Sequence, residues 1–306
     1  MKSIIGYIRG YFYETDKRVL AFVTLFTGLL IFLNYHFYID DRVQDRGSFR
    51  VSLLARVVIF LTAFGVPYLA YLLLAGKNYF TSRSFVILFL SAPVIFSLKV
   101  ALNPSLHFSD DLVTNNFWNH ILYWPALVII TAGLLFIAWR IFDADQPFYG
   151  IKTKGMNWKP YSLMLLIMVP LVAIASTQPD FLAVYPKLKL VTDVGNINDL
   201  YWWQKLLFEL SYGSDFITIE LFFRGFLILA FVKWAGKDAI LPMACFYCTI
   251  HFGKPLGECI SSYFGGMILG IIVYNTRSIL GGLMVHLGIA WLMELGGYIG
   301  NYAPVP

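Results

Sequence analysis

The chain of 306 residues is 58% hydrophobic and 18% aromatic but only 13% charged, against about 25% charged in an average soluble protein. Too few Lys, Glu, Asp and Arg are present to cover one or two soluble domains of this length, and disorder, collagen and coiled coil fail on the same composition. The net charge of +5 is spread along the chain without a basic run, which excludes a nucleic-acid footprint and leaves an all-α, polytopic integral membrane protein.

The first residues carry Lys2, Arg9, Lys17 and Arg18 among Tyr, Glu and Asp, and no small-residue cleavage site follows. The first span is therefore expected to serve as its own insertion signal. A crossing helix takes about 20 mostly apolar residues. By that measure nine stretches qualify: Val19–Ile39, Val51–Leu74, Ser84–Leu102, Trp118–Trp139, Tyr161–Ser176, Asp215–Lys233, Ala239–Phe252, Ile260–Thr276 and Ser278–Tyr298. Tyr201–Tyr212, amphipathic with Lys205 and Glu209, reads as lying at the interface.

Lys and Arg concentrate in alternate connections. With the N-terminus inside, the inner segments hold Lys2, Arg9, Lys17, Arg18, Lys77, Arg83, Arg140, Lys152, Lys154, Lys159, Lys233, Lys237 and Arg277. The outer segments hold only Arg42, Arg46, Arg50, Lys187, Lys189, Lys205 and Lys254. The positive-inside rule then predicts N-in and C-out, in a membrane read as the bacterial cytoplasmic membrane.

A composition break near Pro179 divides residues 1–178, about five Leu-, Phe-, Ile- and Val-rich spans, from residues 179–306, where ionisable groups and glycines enter the spans. Gly265-Gly266 with Gly270, Gly281-Gly282, and Gly296-Gly297 with Gly300 predict closely packed helices, because small residues let backbones approach. The N-terminal spans are expected to be more peripheral and offer a surface for a membrane-protein partner.

Ionisable side chains in a bilayer cost several kcal/mol unless paired or wetted, so each needs a reason. Glu220 and Arg224 stand four apart in Thr218-Ile219-Glu220-Leu221-Phe222-Phe223-Arg224-Gly225, a spacing that puts both on one helix face. His251 closes the next stretch after Tyr247, and His286 sits two turns into the last. Imidazole accepts or donates a proton or binds a metal, and carboxylate acts as base or ligand, so this set suits water activation. Proton relays, transporter linings and structural clamps use the same residue types. Cys245-Phe-Tyr-Cys248 followed by His251 spreads round one helix and does not form a tetrahedral ligand set. Three cysteines cannot all pair within one chain, so no disulfide framework is expected.

The order Glu-x-x-x-Arg-Gly, aromatic-x-x-x-His, and a glycine-rich lead into a final helical His resembles the CAAX protease and bacteriocin-processing family of intramembrane endopeptidases, also called the Abi family. The resemblance runs from about Asp215 to Leu295. It implies catalytic roles for Glu220, His251 and His286, with Arg224 and Tyr247 in support. In the family's pattern a first glutamate and the second-motif histidine activate water, while the third-motif histidine and an Asn stabilise the oxyanion.

Two positions depart: Ile219 stands where the first glutamate belongs, and Ala290 where the Asn belongs. Loss of a general base typically lowers a rate by about 10² to 10⁴, and loss of an oxyanion donor by about 10² to 10³. Three alternatives follow. Glu220 has become the base, another acid such as Glu258 or Glu294 substitutes, or the chain has become a non-hydrolytic scaffold or peptide binder. The expected partners are a protein or peptide substrate and the lipid bilayer, without nucleic acid. The residues require no cofactor, and a divalent metal is left open.

Overall fold

A computed structural model describes residues 4–44, 48–152, 158–191 and 200–302. Lys2, Arg46 and Lys154, used to read the orientation, lie outside the described residues. All the regular structure among the described residues is helical. In chain order the helices are α1 (Ile4–Glu14), α2 (Lys17–Phe37), α3 (Ile39–Gln44), α4 (Phe49–Ala75), α5 (Arg83–Ala101), α6 (Leu112–Phe142), α7 (Lys159–Ala175) and α8 (Pro179–Val184). Then come α9 (Trp202–Ile219), a π-helical segment (Glu220–Ala230), α10 (Val232–Ala235), α11 (Ile240–Thr249), α12 (Leu256–Thr276) and α13 (Leu280–Tyr302).

The limits of these helices follow from local chemistry. Asp16 accepts the backbone N–H of Arg18 at 2.9 Å and starts α2, and Ser82 does the same for Phe85 at the start of α5. Gly76, at φ 67°, closes α4 in the left-handed conformation that glycine adopts without strain. Pro67, Pro93, Pro125 and Pro170 lie inside helices, where neighbouring helices in a membrane can compensate the lost backbone bonds.

The chain is an integral membrane protein. Among the described residues six helices are long and apolar enough to cross: α2, α4, α5, α6, α12 and α13. The pair Lys159–Ala175 and Pro179–Val191, bent by 97°, makes a seventh if it counts as one span. All nine stretches read from the sequence are helical, but the span expected over Asp215–Lys233 is part of a longer run that changes hydrogen-bonding pattern at Glu220, and α11 has only 10 residues. The count of nine therefore stays an expectation, because helicity alone does not make a short or broken element a crossing one.

The contacts define two compact units, each discontinuous in sequence, and both draw on residues from either side of Pro179. The first comprises Met1–Leu102, Gly133–Lys152 and Leu221–Ile279. There α11 packs on α12, α4 and α2, and α4 on α5. Its core is aromatic: Phe60 meets Phe246 at 4.8 Å between ring centroids, Phe96 meets Phe222 at 4.8 Å, and Phe64 meets Phe231 at 5.5 Å. Three ion pairs lie in this unit, Arg56 with Asp40 at 3.5 Å, Lys233 with Asp143 at 2.9 Å and Lys77 with Asp238 at 2.6 Å.

The second unit comprises Asn103–Ala132, Thr153–Glu220 and Leu280–Pro306. Within it α13 packs on α7, α8 and α9. Its core gathers Phe117, Ile121, Trp124, Phe208, Tyr212 and Ala290. Gly281 lets α13 approach α7, since a β-carbon there would run into the Tyr161 ring.

Candidate active site

In the second unit, Glu220 is fully buried and its Oε1 lies 3.0 Å from Nδ1 of His286. The carboxylate accepts, so Nδ1 carries the proton and the lone pair of the neutral ring falls on Nε2. The imidazole is held a second way, edge-on to the Phe216 ring at 4.7 Å. A carboxylate that fixes the tautomer and stabilises the imidazolium is the arrangement that makes histidine an oriented general base. Gly282, one turn before His286, leaves room for this, because a β-carbon there would stand 2.6 Å from Oε2 of Glu220.

In the first unit, Arg224 is fully buried and its guanidinium lies over the Tyr247 ring at 4.0 Å. That face-on placement is a cation–π contact. Tyr247 is itself fixed by Phe223 at 5.1 Å, and by Gly266, whose missing side chain admits the tyrosine ring. Its backbone carbonyl accepts from Nδ1 of His251 at 3.1 Å. As with His286, the lone pair of the neutral His251 ring then falls on Nε2. Gly225, next to Arg224, permits the turn at Tyr149 to press against the π-helical segment, since a β-carbon would be 2.8 Å from the Tyr149 carbonyl oxygen.

The remaining predicted residues have other contacts. Glu294, 4% exposed, accepts the backbone N–H groups of Lys187 at 2.8 Å and Leu188 at 3.2 Å. Its carboxylate thus holds the backbone at the start of the 187–191 turn. Glu258 lies 3.9 Å from Lys254, one turn away. Ile219 and Ala290 are 7% and 4% exposed. Among the described residues, no group of three or more His, Cys, Asp and Glu is arranged to hold a metal ion.

Sequence reasoning did not assign Phe216, Gly225 or Gly282 to the site. The Gly281-Gly282 doublet was legible as a packing signal, but spacing alone does not show that one glycine faces a tyrosine ring and the other a carboxylate.

Residues 202–292 match the family model described as Rce1-like: Type II CAAX prenyl endopeptidase Rce1-like. The match spans Glu220, Arg224, Tyr247, His251, Glu258 and His286, and it supports membership of the CAAX protease and bacteriocin-processing family, as the motifs implied. No curated protein and no solved structure matches the chain. The family match and the apolar helices together support a CAAX-type intramembrane protease in general.

Proposed function

We propose that the protein hydrolyses a peptide bond in a membrane-associated substrate, using water activated by the Glu220–His286 pair. The observation that carries this reading is the 3.0 Å contact between Glu220 and His286. Glu220 orients His286 and stabilises the imidazolium that forms when Nε2 takes a proton from water. Isoleucine at 219 then ceases to be an obstacle, because the base is the carboxylate–histidine pair rather than two adjacent glutamates. His251, with Nδ1 bound to a backbone carbonyl, is the second proposed catalytic histidine, and Arg224 and Tyr247 are supporting residues. The substrate class follows the family description: a protein or peptide with a CAAX-type, prenylated end.

The test is cleavage of such a peptide by the protein reconstituted in lipid vesicles, with prenylated and unprenylated versions compared. Cleavage of the prenylated form by the parent, lost in His286→Ala and in His251→Ala, supports the proposal. Cleavage that survives both changes contradicts it.

A second reading, a membrane scaffold or peptide binder that has ceased to hydrolyse, is favoured by one observation. Ala290, where the family pattern has Asn, packs in an apolar core with Phe208 and Tyr212. Binding of the peptide without turnover is the outcome that selects this reading.

A further inference from the structure

Cys248 near the end of α11 and Cys259 in the first turn of α12 are both fully buried, and their Sγ atoms are 3.9 Å apart. The contact is reciprocal at the backbone, with Sγ of Cys248 at 3.4 Å from the Cys259 carbonyl oxygen and Sγ of Cys259 at 3.8 Å from the Cys248 carbonyl oxygen. All three cysteines are buried and unbridged. A disulfide needs about 2.05 Å between sulfurs, so the two sulfurs, 3.9 Å apart, must approach each other to bond.

The connection between the two cysteines is anchored from α2. Asn34 donates to the Phe252 carbonyl at 3.0 Å, and the Tyr35 hydroxyl donates to the Lys254 carbonyl at 2.5 Å. The two thiols are therefore held face to face by their own helices and by a third.

We infer that Cys248 and Cys259 form a reversible disulfide under peroxide, closing a ring over residues 249–258 that contains His251 and Glu258. One thiol is oxidised by hydrogen peroxide to a sulfenic acid with release of one water. The second thiol's sulfur displaces the sulfenic hydroxyl, which leaves as a second water with the thiol's proton. Two thiols supply two electrons, and one peroxide is reduced to two waters. The bond ties the end of α11 covalently to α12 across the connection that carries His251, so the redox state fixes the freedom of that segment. The sulfur chemistry is independent of whether the protein hydrolyses peptides.

The experiment uses the full chain in detergent, reduced with dithiothreitol and then exposed to hydrogen peroxide. Remaining thiols are counted by mass-tagged maleimide after denaturation, and the oxidised protein is mapped by peptide mass spectrometry. The expected result is a fall from three titratable thiols to one. It is accompanied by a Cys248–Cys259 cross-linked peptide 2 Da lighter than the two reduced peptides, reversed by dithiothreitol. Cys245→Ser is expected to keep the cross-link, and Cys248→Ser and Cys259→Ser to lose it. The inference is overturned if the folded parent keeps all three thiols under conditions that oxidise the same protein unfolded in detergent. It is equally overturned if the bond involves Cys245 or joins two chains. The parent's peptide map decides the matter even if a serine variant fails to fold.

Discussion

A β-carbon on Gly282 would stand 2.6 Å from Oε2 of Glu220, whereas one on Gly225 would stand 2.8 Å from the backbone oxygen of Tyr149. The two glycines thus make room for different things, a movable carboxylate and a fixed turn in which Tyr149 has φ 36° and Gly150 φ 81°. Gly282→Ala is expected to shift the Glu220 carboxylate away from His286 and lower peptide cleavage by roughly 10²-fold, the cost of a misplacement of about 1 Å. Its melting temperature in detergent should stay near the parent's. Gly225→Ala must move backbone, and it should lower stability by about 1 to 3 kcal/mol. Thermal unfolding and cleavage measured on both variants separate the two effects.

The Arg224 guanidinium over Tyr247 rests on the ring, and the tyrosine hydroxyl is not needed for that contact. Tyr247→Phe is therefore expected to keep the cation–π contact, while Tyr247→Leu loses it, a contact valued at about 0.5 to 2 kcal/mol. Arg224→Lys replaces a planar cation with a point charge and should behave like a loss rather than a conservative change. Equal stability of all three variants would show that the contact contributes nothing.

Glu294 binds two backbone N–H groups, and removing it leaves those donors unsatisfied, at about 1 to 3 kcal/mol for a buried group. Glu294→Ala should thus unfold at lower temperature while the rate per folded molecule is retained. A rate loss without a stability loss would point to Glu294 as the substitute base.

The loop charges predict N-in and C-out with nine spans. Reporter fusions after Asn78, Gly150 and Gly236 should all give a cytoplasmic signal. A signal from the opposite side at Gly236 would mean that the segments between Tyr161 and Tyr212 cross the membrane a different number of times.

The early spans were legible because their signal is local. The spans expected over Val19–Ile39 and Val51–Leu74 correspond to α2, Lys17–Phe37, and α4, Phe49–Ala75. Long apolar runs flanked by Asp16, Ser82 and Gly76 leave little else possible. The region after Tyr201 was less legible. The stretch to Tyr212, read as a separate interfacial element, continues in α9 to Ile219, and the next residues take π-helical bonding through Ala230. Such a segment is frequent at functional sites but has no periodicity that announces it.

The motif residues Glu220, Arg224, His251 and His286 could be found by spacing and resemblance, but not all of their contacts could. The i, i+4 spacing puts Glu220 and Arg224 on one face, while the contact of Glu220 with His286 and that of Arg224 with Tyr247 are further ones that spacing does not show. Those are long-range contacts set by packing. The same holds for Cys248 and Cys259, where three cysteines argued against a disulfide framework while the approach of α11 to α12 brings two of them together.

The central claim is that Glu220 and His286 act as one unit on the attacking water. The most direct test is a cycle of Glu220→Gln, His286→Ala and the double variant, with single-turnover cleavage measured for each. Residues that act as a unit are grossly non-additive, so each single change should lower the rate by about 10² to 10⁴ and the double change by little more than either. Losses that multiply in the double variant, or a parent rate untouched by either change, would contradict it.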